Sequence, residues 1–155
     1  MSAVTLAELR QRMAARVAAI SGWWEAPVPY DLFGPSAVPD SVPATKAHLA
    51  FAIGIGETVD AEEMRQRASV GTHVRTEVAV RFLARHTPGP TNSQASLDAA
   101  LTAEHGMIKQ VMAQGASWPV DLRILYRSSR RTIADTGEWF EHTVSFTVTH
   151  LLALA

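Results

Sequence analysis

The stretch "EHTVSFTVTH", residues 141–150, decides how this chain folds. Its side chains alternate. Val144, Phe146 and Val148 share one face with Phe140, His142 and His150, while Thr143, Ser145, Thr147 and Thr149 share the other. A period of two is the signature of a strand with one buried face, and the pattern predicts a long strand over 138–152. The two histidines invite a metal reading. Eight residues of strand separate them by roughly 27 Å, whereas imidazole–metal bonds are about 2.0–2.1 Å long. They cannot hold one ion. Nothing in the sequence forces His142 to meet His73 or His48, so the histidines read as structural and no metal is expected.

Working outward, "VDLRILYRS" at 120–128 predicts a strand with Leu122, Ile124 and Tyr126 on one face. "SRRTIADTG" after it reads as a turn or loop. Residues 72–85, "THVRTEVAVRFLAR", set Val74, Val78, Val80 and Phe82 against Arg75, Glu77, Arg81 and Arg85. Residues 47–57, "AHLAFAIGIGE", place Leu49, Phe51, Ile53 and Ile55 on a bulky face. Ala50, Ala52, Gly54 and Gly56 form a nearly bare face that permits close approach of another backbone. Two helices complete the order. Over 5–21, a Thr5–Glu8 capping box precedes a stripe of Leu6, Leu9, Met13, Val17 and Ile20, with Gly22 as the stop. Over 93–114, with Ser93 or Asn92 as cap, the stripe is Leu97, Leu101, Ile108, Val111 and Met112, interrupted by Gly106. Helix, two strands, helix, two strands predicts an α+β domain: an antiparallel four-stranded sheet of two hairpins, with two main helices on one face.

Two segments lie outside these elements. Residues 22–46 carry five prolines, which exclude a helix or central strand. They also carry Trp23, Trp24, Tyr30, Leu32 and Phe33, too much apolar area for a solvated linker. This arm should pack on the domain or on a partner. Residues 58–71 form a polar excursion.

The chain has 155 residues, the size of one domain, and 1–155 is read as such. Its formal charge is −1, which gives no electrostatic reason for a nucleic-acid or anionic-membrane partner. No apolar run approaches the length of a membrane helix. Glu8 falls where a signal peptide would have its apolar core, so a cytoplasmic protein is expected. With no cysteine, disulfides, thiolate sites and cysteine nucleophiles are excluded. Twelve of the fourteen basic residues are arginine, which suits planar contacts to carboxylates or to another chain.

No catalytic motif stands out. "GIGET" at 54–58 lacks the third glycine of a dinucleotide fingerprint, Val59 taking its place, and there is no Walker lysine. Neither a G-x-S-x-G elbow nor an H-E-x-x-H pair occurs. Glu104 and His105 are adjacent on a helix and face different directions. Glu62 and Glu63 read as a solvated charge run. The cluster "LRILYRSSRR" fits a protein contact or a pore lining as readily as a DNA groove, so no sequence-specific nucleic-acid binding is expected.

The layout resembles the tail terminator (tail completion) proteins of long-tailed bacteriophages and related phage-derived particles. The elements that carry the resemblance are "LAELRQRMAARVAAI", "HLAFAIGIGE", "HVRTEVAVRFLAR", "SLDAALTAEHGMIKQVM", "DLRILYRS" and "WFEHTVSFTVTHLLAL", spanning almost the whole chain. The Trp-rich, Pro-rich arm is longer than a minimal family member needs. The resemblance implies a ring, typically a hexamer, that caps the tail tube, ends its polymerisation and offers a surface for head–tail joining. Its partners are then copies of itself, the tail tube protein and a head–tail connector, with DNA passing through the lumen. It implies no catalytic residue and no cofactor. It places the protein in the host cytoplasm during assembly and afterwards in the virion tail or neck. From this sequence, the residues assigned to contacts are Trp23, Trp24 and Phe33 of the arm, Glu62, Glu63, Arg65 and Arg67 of the excursion, and Arg127 just before the 128–137 turn with Arg130 and Arg131 in it. Two other readings stand beside it: another neck or head-completion protein, and a small α+β ligand-binding or enzyme domain.

Overall fold

The computed structural model describes residues 3–34, 42, 47–61, 71–113, 118, 122–133 and 137–153. Among them, helix α1 spans Leu6–Ala18 and helix α2 spans Asn92–Met112. Strands β1 (Phe51–Asp60), β2 (Gly71–Arg85), β3 (Arg123–Ile133) and β4 (Trp139–Ala153) form one antiparallel sheet in the order β1-β2-β4-β3. The predicted α+β architecture with two hairpins is what the chain adopts. The hairpins join through β2 and β4, which pair from Gly71↔Ala153 to Arg85↔Trp139. No helix among the described residues is long and apolar enough to cross a membrane.

Both helices lie on one face of the sheet. The core gathers Leu9, Met13 and Val17 of α1 with Ala100, Met107 and Val111 of α2. From the sheet come Phe51, Val78, Val80, Phe82, Val144, Phe146 and Val148. The alternation of β4 holds throughout, with the even-numbered positions from Phe140 to His150 buried. At α1 the capping box forms as read: Thr5 Oγ1 accepts from the Glu8 amide and Glu8 accepts from the Thr5 amide at 2.7 Å.

Several boundaries differ from expectation. Helix α1 stops at Ala18, and Gly22, with φ +89°, serves the turn that follows. Neither Ser93 nor Asn92 caps α2. Thr91 stands at the cap without a side-chain hydrogen bond, and the Ser93 hydroxyl instead meets His86. Strand β1 begins at Phe51 because Leu49 turns the chain at φ +65°, in the left-handed region, where its amide bonds the Leu83 carbonyl at 2.7 Å. It runs on to Asp60, so residues 58–60 of the polar excursion are strand. Strand β3 runs five residues past its predicted end. Arg130–Ile133 pair with Thr143–Phe140, and much of the expected 128–137 turn is sheet.

Each edge strand carries an irregularity in its register, between Ile55 and Thr58 in β1 and between Tyr126 and Ser128 in β3. An extra residue flips every later side chain to the other face. In β3 the flip brings Arg131 level with inward-facing His142 and leaves Arg130 level with outward-facing Thr143.

Helix α2 presents a stripe that overlaps only partly with the one read in the sequence, Val111 lying in the core and Ile108 packing against it as read. Ala100, Glu104, Met107 and Val111 are buried, while Leu97 and Met112 are exposed. A carboxylate in the stripe concealed the true face from a hydrophobicity reading.

Candidate functional site

The described residues offer three places where function can reside: a buried ionisable cluster, the hollows on the surface, and the face and edges of the sheet that the helices leave uncovered.

The cluster lies between α2 and the sheet. His142 has no exposed surface, and its ring stacks on Phe82 at 4.5 Å between centroids. Its Nδ1 lies 3.0 Å from Glu104 Oε1, and Arg131 pairs with the other oxygen of the same carboxylate. A carboxylate accepts only, so Nδ1 carries the proton and Nε2 is the bare nitrogen. That nitrogen is buried with no hydrogen-bond partner. Burial pushes the His142 imidazole below its ordinary pKa, and Glu104 opposes the shift without reversing it. The arrangement orients an imidazole as a catalytic dyad would, but Nε2 points into packed side chains. None of the hollows described below is lined by His142. The cluster gives a buried acid two partners and ties α2 to β3 and β4.

Three of the five remaining histidines have hydrogen-bond partners as well. His150 Nε2 meets Thr76 Oγ1 at 2.9 Å, and Thr76 in turn meets Thr58. His86 bridges the Gly137 carbonyl and the Ser93 hydroxyl, tying the β3–β4 connection to the start of α2. His48 Nδ1 accepts the Arg85 amide at 3.0 Å. Among the described residues no three metal-ligating side chains gather.

Two hollows bear on a ligand. A wide, shallow one of about 660 Å³ is bordered by Trp23, Trp24, Glu25 and His48. The other, about 430 Å³, is a groove on the sheet face opposite the helices. Its floor is a row of small residues, Gly54, Ala79, Ser145 and Ser128, one from each strand. Tyr30 of the arm closes one end and Glu77, Thr147 and Arg127 line one side. The bare face read in β1 thus receives the protein's own arm. A methyl group on Gly54 would come within 2.6 Å of the Tyr30 ring.

The arm explains where the expected contact residues lie. Trp23 is buried in the main core, 4.9 Å from Phe82 and 6.2 Å from Phe51. Phe33 is buried on the opposite face with Ala52, Leu83 and Trp139, and Arg81 stacks on it. Trp24 is half-buried, packs against both clusters, and its amide bonds the Leu49 carbonyl. Trp23 and Phe33 thus pack on the domain itself and do not stand at its surface, whereas Leu32 of the same arm is 65% exposed. Glu62, Glu63, Arg65 and Arg67 fall outside the described residues. Arg127 and Arg130 stand exposed on β3, whereas Arg131 is drawn into the pair with Glu104.

Sequence reading weighed Glu104 only beside His105 and did not place it on the buried face with His142. The signal that could have found it is its spacing: it stands four from Ala100 and three from Met107, on the stripe that faces the sheet.

No protein-family model matches the chain, and no curated protein matches it in sequence.

Proposed function

We propose that this protein is a structural subunit of a phage-type tail: a tail terminator that assembles with copies of itself at the head-proximal end of the tail tube, stops tube growth and provides the surface for head–tail joining. The observation that carries the proposal is the succession of helix, hairpin, helix, hairpin, closed into one sheet with both helices on a single face. That is the element order of the family the sequence resembles. Among the described residues the opposite face is only partly covered by the arm, and an uncovered sheet face is what a subunit of a larger body keeps for its neighbours.

The test adds purified protein to polymerising tubes of the same particle and follows tube length and tube ends by electron microscopy. Terminator function predicts shorter tubes, each with density at one end. Tubes of unchanged length with bare ends overturn it. Binding to isolated heads in place of tails moves the assignment to another neck component.

One observation favours a ligand-binding or enzymatic reading: a carboxylate-oriented imidazole, Glu104–His142. Its burial weighs against that reading, since Nε2 has no exposed surface for a substrate atom to reach. Saturable binding of a small molecule, abolished by His142→Ala or Glu104→Ala in a chain that still folds, would promote it.

A further inference from the structure

Among the described residues the β3 edge and the Ile53–Asp60 part of the β1 edge are open, and they differ in sign. Strand β3 carries Arg123, Arg127, Arg130 and Arg131 and no acid. Of these, Arg123, Arg127 and Arg130 form no ion pair among the described residues. Among the same residues its outer edge receives no backbone hydrogen bond. Leu125 and Ile133 are 57% and 56% exposed on it. At the other edge, β1 carries Glu57 and Asp60 and no base, and both are exposed. The arm holds only the start of that edge, where the Val28 amide donates to the Phe51 carbonyl at 2.8 Å. From Ile53 to Asp60 no further backbone bond reaches it among the described residues. Val59 there is 42% exposed.

An open edge is a template for another strand, and native proteins guard such edges with charge. The guard here is selective. Two copies of β3 would oppose arginine to arginine, and two copies of β1 carboxylate to carboxylate, both unfavourable. Only β3 against β1 brings opposite charges together. Direction agrees: β3 runs with β2 and against β1, so a neighbour turned about an axis along the strands offers its β1 antiparallel to β3. Height agrees as well. Arg123, Thr149, Arg75 and Val59 form one row across the sheet. A neighbour at equal height therefore sets Glu57, Val59 and Asp60 beside the Arg123–Arg127 end of β3.

We infer that the second copy of this chain docks edge to edge, the β3 strand of one subunit pairing with the Ile53–Asp60 half of β1 of the next. The contact is head-to-tail, so it repeats and, when the rotation closes, leaves no free edge. This rests on the self-assembly part of the proposed function and names the surfaces that perform it.

The natural chain has no cysteine, which makes cross-linking clean. The full chain carrying Val59→Cys and Leu125→Cys, treated with a short bis-maleimide alone and with tubes present, is expected to give a ladder of linked multimers. Either single-cysteine variant should stay at one chain. Arg123→Glu with Arg127→Glu should remove the ladder, and adding Glu57→Arg with Asp60→Arg should restore it, which sets aside misfolding. Three results overturn the inference: no ladder, a ladder indifferent to charge reversal, or efficient linking of the Leu125→Cys chain to itself. A chain that caps tubes but gives no ladder sinks the edge pairing and leaves the proposed function intact. A chain that ladders but never touches a tube does the reverse.

Discussion

At the residue scale the protein turns on a few buried polar groups. His142 donates to Glu104 and leaves Nε2 with nothing to meet. Charging the ring would place a second N–H there, with Phe82 and Phe140 as neighbours and the Arg131 cation beside the shared carboxylate. His150 is likewise held below the ordinary histidine value near 6.5 by burial. The unfolded chain therefore binds more protons than the folded one in the window just below about pH 6.5. Stability from these rings is complete above that value and lost as pH falls through their depressed folded values. Thermal melts should show the midpoint dropping on acidification through that window, with a shallower drop in His142→Phe. A second outcome concerns the acid. Glu104→Ala strands the buried Nδ1–H and should cost about 1–3 kcal/mol in urea unfolding, while Glu104→Gln, which keeps an acceptor, should cost less.

At the element scale, helix α2 depends on its neighbours at its end. Arg16 of α1 donates to the carbonyls of Gln110 at 2.9 Å and Val111 at 3.0 Å and also to that of Ala113. Its guanidinium lies over Trp118. These are carbonyls that the last turn of a helix leaves without intrahelical partners. Arg16→Ala should therefore destabilise by roughly 1–3 kcal/mol, measurable by denaturant titration, and Arg16→Lys should recover only part, because an ammonium lacks the planar fork. The opposite sign is expected at Gly106, where an added Cβ meets nothing within 4 Å. Gly106→Ala should stabilise α2 by about 0.5–1 kcal/mol, read as a raised melting temperature. Strand β3 shows what an element can hide. Its irregularity after Tyr126 turns Arg131 towards Glu104 and keeps Arg130 outside, a sorting of adjacent arginines that alternation alone would have reversed.

At the scale of the whole molecule, two hairpins become one sheet only where β2 meets β4. Gly71 sits at one end of that seam, and a Cβ there would lie 2.1 Å from the Leu152 carbonyl oxygen. Gly71→Ala collides with backbone, which cannot swing aside as a side chain can. It should cost about 1–3 kcal/mol and lower the protection of the neighbouring Val4 and Ala153 amides in hydrogen exchange. Each hairpin supplies one outer edge, β1 acidic and β3 basic. Association through them should weaken as salt rises, a dependence that burial of apolar surface alone would not produce.

Much of this was legible in the chain before it folded. Strand periodicity in 72–85 and 140–150, the Thr5–Glu8 box and the bare face of 50–56 are local patterns, and local patterns follow from side-chain alternation and backbone sterics alone. The sequence by itself determined the element order and the faces that β2 and β4 bury, while in β1 and β3 the register irregularities moved the later side chains to the other face. Tertiary structure alone decided that Glu104 joins the buried face of α2, that Arg16 caps a helix more than ninety residues away, and that Trp23 and Phe33 pack inward. It alone set the strand order, and with it the oppositely charged open edges. The reason is physical: each of these depends on which distant groups come within contact distance, and a buried charge is affordable only once its partner has been brought there by the rest of the fold.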